Sequence, residues 1–288
     1  GAGDDTIQGG AGNDVTFISS DDGNDVVQAS NGNDQTVIDT GDLAVDASIA
    51  AAGDSAEVVV TGGANFTVQT QSSRIFLRTG GEADTVDIDA IASVGVSEVR
   101  VQTSDGNDTI DGEDTDVRLL ANGGGGSDMI LGGSGNDELR GASGRDSIVG
   151  AAGSDLIRAG NGADIITSGG ARDVIVAGNG ADDVSAGADD DIVVAGTTGL
   201  SLSDLRLIQA EWQSGRDYAT RVANVTGTGS GERENGNAFL SVEDGSETAF
   251  DDAQVDELTG ANGLDLFFAN PDLDVSDLNT GEELFDLR

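Results

Sequence analysis

From Gly123 to Val194 the chain repeats one nine-residue unit eight times in unbroken register: GGGGSDMIL, GGSGNDELR, GASGRDSIV, GAAGSDLIR, AGNGADIIT, SGGARDVIV, AGNGADDVS, AGADDDIVV. The sixth position is always aspartate: Asp128, Asp137, Asp146, Asp155, Asp164, Asp173, Asp182 and Asp191. The eighth is always aliphatic, from Ile130 and Leu139 to Val184 and Val193, and the second is always Gly or Ala. Tandem units this short bury their apolar residue only by stacking on their neighbours, so the pattern predicts a parallel β-helix.

The chemistry of the repeat follows from its residue types. Glycine admits left-handed or crowded backbone, which lets loop carbonyls turn toward a shared point. The last three residues form a short strand with position eight facing inward. Two units make one coil, so loops on one side lie eighteen residues apart in sequence and roughly 4.8 Å apart in space. One edge therefore stacks Asp128, Asp146, Asp164 and Asp182, and the other Asp137, Asp155, Asp173 and Asp191. Two carboxylates at that spacing repel by about 3.5 kcal/mol at an effective dielectric of ~20 and by about 1 kcal/mol in water. A hard divalent cation taking six to eight oxygens at ~2.3–2.6 Å turns that repulsion into a staple, and calcium suits such a site better than magnesium.

The segment resembles the repeats-in-toxin (RTX) family, whose repeats form a calcium-binding β-roll in secreted bacterial proteins. The resemblance implies that several Ca2+ ions sit between successive loops. It implies as ligands the eight aspartates and the glycine-position carbonyls of Gly124, Gly126, Gly133, Gly135, Gly144, Gly153, Gly160, Gly162, Gly178 and Gly180. Two repeats depart from the pattern. Position four is Ala171 in the sixth, followed by Arg172, and Asp189 in the eighth, so weaker or differently coordinated sites are expected there.

A formal net charge of −41, with 45 Gly and only 3% aromatic residues, suits a solenoid with aliphatic ladders. It argues against nucleic acid or an anionic membrane as partner and in favour of cations. Cys and His are absent and the thirteen basic residues are all Arg, which removes disulfides and the commonest general base. An acidic, Lys-free surface also fits salt adaptation, which does not by itself place aspartates at period nine. No apolar run approaches the ~20 residues of a transmembrane span. Gly1 falls at position two of a repeat, so further coils or another domain are expected upstream.

Residues 1–40 carry looser loops with Asp5, Asp14, Asp25 and Asp34 at position six, spaced nine, eleven and nine, with an insertion around Ser19 and Ser20. From Gly41 to Asn122 alternating runs such as AEVVVT, NFTVQT, RIFLRT and EVRVQT read as half-buried strands, with loop aspartates at Asp84 and Asp108. Asp84 lacks a position-four glycine. The intervals of 24 and 20 residues to Asp128 predict larger parallel coils feeding the tight roll, with a separate β-sandwich as the alternative.

Beyond Leu200 lie the single Trp, the single Tyr and five of eight Phe. Ser201 with Asp204 predicts a capped helix to Gly215, a second helix is expected from Asp217 to Val225, and residues 227–238 read as an exposed loop. The roll then resumes with Asp256 and Asp265 at position six, and Phe267, Phe268, Leu284, Phe285 and Leu287 plug its end. The expected fold is all-β, a parallel β-helix or β-roll with a small helical insertion and a C-terminal cap. Its segments are 1–122 (larger irregular coils), 123–196 (regular roll), 197–250 (helical insertion) and 251–288 (resumed roll and cap).

The reading that follows is a non-enzymatic, extracellular structural module of a secreted or cell-surface bacterial protein, folding on calcium after export. One alternative is self-assembly into a filament or surface layer through the solenoid ends. Another is binding or modification of acidic polysaccharide through Arg74, Arg78, Arg100 and Arg118. Ice binding needs flat Thr or Asn rows, and positions three and five of the eight repeats hold no Thr.

Overall fold

A computed structural model describes residues 3–19, 24–31, 33–42, 44–62, 66–230, 232–242, 247–276, 278 and 280–287; Gly1 and Ser20, which entered the sequence reading, lie outside them. The chain is an all-β parallel β-solenoid and forms two compact units, residues 1–143 and 144–288.

In the first unit one sheet runs through Val15–Ser19, Gln35–Asp39, Arg74–Arg78, Glu98–Gln102, Arg118–Gly125 and Glu138–Ser143, each strand parallel to the next. Alternate residues point inward, so Ile75, Val99 and Leu119 form a buried ladder, as do Ile38, Leu77, Val101, Ala121 and Leu139. The facing sheet carries Val86, Ile110 and Ile130 in register. One departure from parallel coils stands out. Val45–Ala52, Ser55–Gly62 and Phe66–Thr70 form an antiparallel meander, whose outer members pair in parallel with Thr85–Ile88 and Asp25–Asn31. The expectation of parallel large coils throughout 41–122 is corrected there. The residues Gly53 and Asp54 make a tight turn, with Gly53 left-handed at φ 66°, and that short reversal leaves no length for a crossover.

In the second unit two parallel sheets face one another. Ser147–Ala152, Ile165–Gly170, Asp183–Ser185, Glu257–Thr259 and Val275–Ser276 form one. Leu156–Asn161, Val174–Asn179, Ile192–Val194, Leu266–Ala269 and Glu283–Asp286 form the other. The strands before and after residues 197–250 pair directly: Val184 lies beside Leu258 and Val193 beside Phe267. The intervening segment is clasped at its base by an antiparallel pair, Thr197–Thr198 with Ala249–Phe250. Its helices are α1 (Leu202–Trp212) and α2 (Tyr218–Val225). Ser201 and Asp204 make the expected reciprocal capping box, and Asp217 caps α2.

The helices bury Leu205, Ile208, Trp212, Val222 and Val225 against the outer face of the second sheet, on Leu156, Val174, Val176, Ile192, Val194, Leu266 and Phe268. This sheet is therefore apolar on both sides, and Phe285 stacks on Phe268 at 5.1 Å. The expected exposed loop at 227–238 is also corrected in part. Asn235 is fully buried, its amide donating to the Asn224 and Ala238 carbonyls, because the turn folds back under α2.

Candidate metal site

Along the solenoid, successive loop aspartates commit one oxygen to the backbone of the coil before. In the second unit the Oδ1 of Asp164 accepts the Asp146 N–H, Asp182 accepts from Asp164, and Asp256 accepts from Asp182, all at 2.8 Å. On the opposite edge Asp173 accepts from Asp155 at 2.7 Å, Asp191 from Asp173 and Asp265 from Asp191 at 2.8 Å. The first unit repeats the rule with wider coils. Asp25 accepts from Asp5, Asp34 from Asp14, Asp108 from Asp84, Asp128 from Asp108 and Asp137 from Leu119. Asp84 accepts from Val45, within the meander. Each carboxylate thus fixes the register of the coil before it.

The other oxygen is what makes the ladder a candidate cation site. Oδ2 of Asp108, Asp164, Asp173, Asp182, Asp191 and Asp265 is buried and has no hydrogen-bond partner. A buried carboxylate oxygen without a donor costs one to several kcal/mol, so it calls for a proton or a cation. Burial pushes the carboxyls of Asp108, Asp164 and Asp182 up to about 6, and those of Asp173 and Asp265 up to about 7. Asp256 rises to about 8, and Asp191, which also faces the Asp173 charge, to about 10. Asp5 is exposed and Asp14 half-buried, whereas Asp25 and Asp34, one coil further on, are buried.

Among the described residues no three carboxylates converge on one point. A cation held on this ladder therefore draws most of its oxygens from backbone carbonyls, which hard cations accept readily. The candidate glycines supply the required backbone. Gly124, Gly126, Gly144, Gly153, Gly160, Gly162, Gly178 and Gly180 all have φ between 104° and 145°. Gly133 and Gly135 serve by close approach, since a Cβ at either would press on the Thr115 or Val117 carbonyl oxygen at 2.5 and 2.6 Å. At Gly162 and Gly180 a Cβ would collide outright with the carbonyl oxygen of the position-four glycine one coil earlier, Gly144 and Gly162 respectively.

The two edges of the second unit then diverge. Position four on one edge is Gly144, Gly162 and Gly180, with φ of 122°, 145° and 138°. The Asp256 loop on that edge has Gln254 there; on the other edge Gly153 and Gly263 keep φ of 106° and 146°, but Ala171 and Asp189 between them both sit at φ 74°, a left-handed backbone that tolerates a Cβ at some cost. The sequence reading omitted Asp274, which accepts the Asp256 N–H at 3.2 Å. Its signal was present, because it lies eighteen residues beyond Asp256.

The four arginines of the strand region do share one sheet face. Arg74 and Arg118 flank Glu98 in register, and Arg100 sits beside Phe76. Arg118 lies 3.6 Å from Glu98 and 3.3 Å from Glu138, Arg78 lies 3.6 Å from Asp39, and Arg100 is 5.5 Å from the Phe76 ring centre. These contacts spread the acidic field of the sheet.

Comparison with known families agrees with this geometry. The family model described as the RTX calcium-binding nonapeptide repeat, four copies, matches residues 1–17, 15–37, 100–116, 122–157, 140–175 and 158–193. Residues 38–99 and 194–288, which hold the meander and the helical segment, lie outside the matches. No curated protein matches the chain.

Proposed function

We propose, from the match of its repeat segments to the RTX calcium-binding nonapeptide repeat model, that this chain is a calcium-folded structural module of a secreted or cell-surface protein. The observation that carries the reading is the set of buried Oδ2 atoms of Asp108, Asp164 and Asp182, which have no hydrogen-bond donor. These three, and by the repeat pattern Asp128, Asp137, Asp146, Asp155 and Asp256, would hold the ions together with loop carbonyls at the glycine positions. Bound calcium would supply the positive charge that the ladder lacks.

The chain's own residues prepare that binding. The N–H to Oδ1 bonds hold each carboxylate in place, the inward aliphatic ladder keeps water from the loop interior, and a charge of −41 opposes collapse until cations arrive. At the submicromolar calcium of a cytoplasm such a chain would stay extended, and outside the cell it would fold. The working division is 1–122 as irregular coils, 123–196 as the regular roll, 197–250 as the insertion and 251–288 as resumed roll and cap. No helix among the described residues is long and apolar enough to cross a membrane.

The test is far-UV circular dichroism of the chelator-stripped chain, titrated with calcium and separately with magnesium, with light scattering on the same samples. Cooperative gain of β-signal with calcium alone is the expected result. A stripped chain that is already fully folded overturns the reading, and scattering that rises with calcium moves filament assembly to the front.

A further inference from the structure

On the loop edge that carries Asp173, Asp191 and Asp265, protein groups stand where the repeat pattern provides for a metal. Arg172 occupies position five of its loop, and its guanidinium donates to the Trp212 and Ser214 carbonyls at the end of α1, at 3.5 and 3.0 Å. The same group lies 3.9 Å from the Asp190 carboxylate in the next loop. Arg221, on α2 and only 2% exposed, also donates to Asp190 Oδ2 and to the Trp212 carbonyl, and stacks 4.7 Å from the Trp212 ring centre. The second oxygen of Asp190 accepts the Leu264 N–H at 2.9 Å, in the loop beyond. One carboxylate and two guanidiniums therefore tie three successive loops together, the task a bridging cation would perform.

The carbonyls of this edge are also engaged. Trp212 Nε1 donates to the Asp190 carbonyl at 2.6 Å, and the Tyr218 hydroxyl to the Asp265 carbonyl at 2.8 Å. Position four has lost its glycine at both Ala171 and Asp189, and their φ of 74° differs from the 122–145° of Gly144, Gly162 and Gly180, while the Asp265 loop keeps Gly263 at φ 146°. The groups present at the Asp173 and Asp191 loops do not fit the cradle that Gly144, Gly162 and Gly180 form on the opposite edge.

Resting on the calcium reading, we infer that the loops of Asp173 and Asp191 are stapled by Arg172, Arg221 and Trp212 in place of calcium, so that this stretch of the edge folds without the metal. The helical segment is then a built-in, metal-independent clamp on the roll.

The experiment counts calcium bound per folded chain by equilibrium dialysis and atomic emission for the unsubstituted protein and two double variants. Asp164→Asn with Asp182→Asn is expected to lower the count. Asp173→Asn with Asp191→Asn is expected to leave it unchanged, since Asn keeps the Oδ1 acceptor. Equal losses from both pairs overturn the inference while leaving the calcium reading intact. An unsubstituted chain that binds no calcium removes the calcium reading and this inference with it. Should a double variant fail to fold, terbium emission excited through Trp212, the only Trp in the chain, decides. Emission equal to that of a Trp212→Phe chain supports the inference, and strong Trp-sensitised emission overturns it.

Discussion

Along one loop edge of residues 144–288, Asp164 and Asp182 are framed by Gly162 and Gly180 and by Ala163 and Ala181. Along the other, Asp173 and Asp191 are framed by Ala171 and Asp189 and by Arg172 and Asp190, with two helices packed beside them. Both edges carry the same aspartate, the same eighteen-residue interval and the same N–H to Oδ1 bond. The aspartate is therefore a register device first, present whatever neutralises its second oxygen. What differs is the surroundings: Asp164 and Asp182 are flanked by Gly and Ala, whereas beside Asp173 and Asp191 the guanidiniums of Arg172 and Arg221 engage the neighbouring Asp190.

Removing calcium tests this comparison with the largest expected effect. Chelation at neutral pH should abolish most far-UV β-signal, while the blue-shifted emission of buried Trp212 should persist to lower free calcium than the β-signal does. Emission and β-signal lost together would mean that both edges depend equally on the ion.

The pH dependence of the metal-free chain comes next. Asp164, Asp182, Asp173, Asp265 and Asp256 have folded values raised from 3.8 to about 6, 6, 7, 7 and 8. The folded state thus holds more protons than the unfolded one, and its stability is lost as pH rises through those values. Without metal, the melting temperature should fall from about pH 5 to about pH 8, and saturating calcium should remove or reverse the trend. A metal-free chain more stable at the alkaline end would contradict the burial of these carboxyls.

Trp212→Ala should destabilise the second unit by about 3–5 kcal/mol in urea unfolding, through the cavity and the lost clamp bonds. Trp212→Phe should retain much of the packing and lose the Nε1 bond to the Asp190 carbonyl. A pair of position-four changes then separates the edges. Gly180→Ala forces a Cβ onto the Gly162 carbonyl and should cost about 1–3 kcal/mol, whereas Ala171→Gly should fall within about 1 kcal/mol of the parent, because the Cβ there is already accommodated. Equal effects would mean that the two loop geometries are interchangeable. The smallest effect expected is Ser201→Ala, about 1 kcal/mol from loss of the α1 cap, read by thermal melting.

A second sequence signal marked the clamp and is visible once the fold is known. Positions seven and nine alternate in polarity from repeat to repeat. Ile165 and Thr167, Asp183 and Ser185, and Glu257 and Thr259 lie in one sheet; Val174 and Val176, Ile192 and Val194, and Leu266 and Phe268 lie in the other. An outward face made apolar on one side of a coil only announces a cover for that side. The period-nine pattern is so strong at positions six and eight that it masked this period of eighteen.

The sequence by itself determined the solenoid, because the coil interior asks for one aliphatic residue per unit and the loop for glycine and aspartate, all local requirements repeated at fixed spacing. It also located the resumption at Asp256 and Asp265, since the motif survives a long interruption, and both helix starts, since caps are written within four residues. Only the tertiary structure decided what each loop faces. That Val45–Thr70 folds into an antiparallel meander, that Asn235 is buried and that Arg172 meets Asp190 beside Trp212 depend on partners as many as 40 residues away. No local pattern encodes such meetings, because a charged or polar side chain reads the same in a sequence whether it faces water or a carboxylate one coil above.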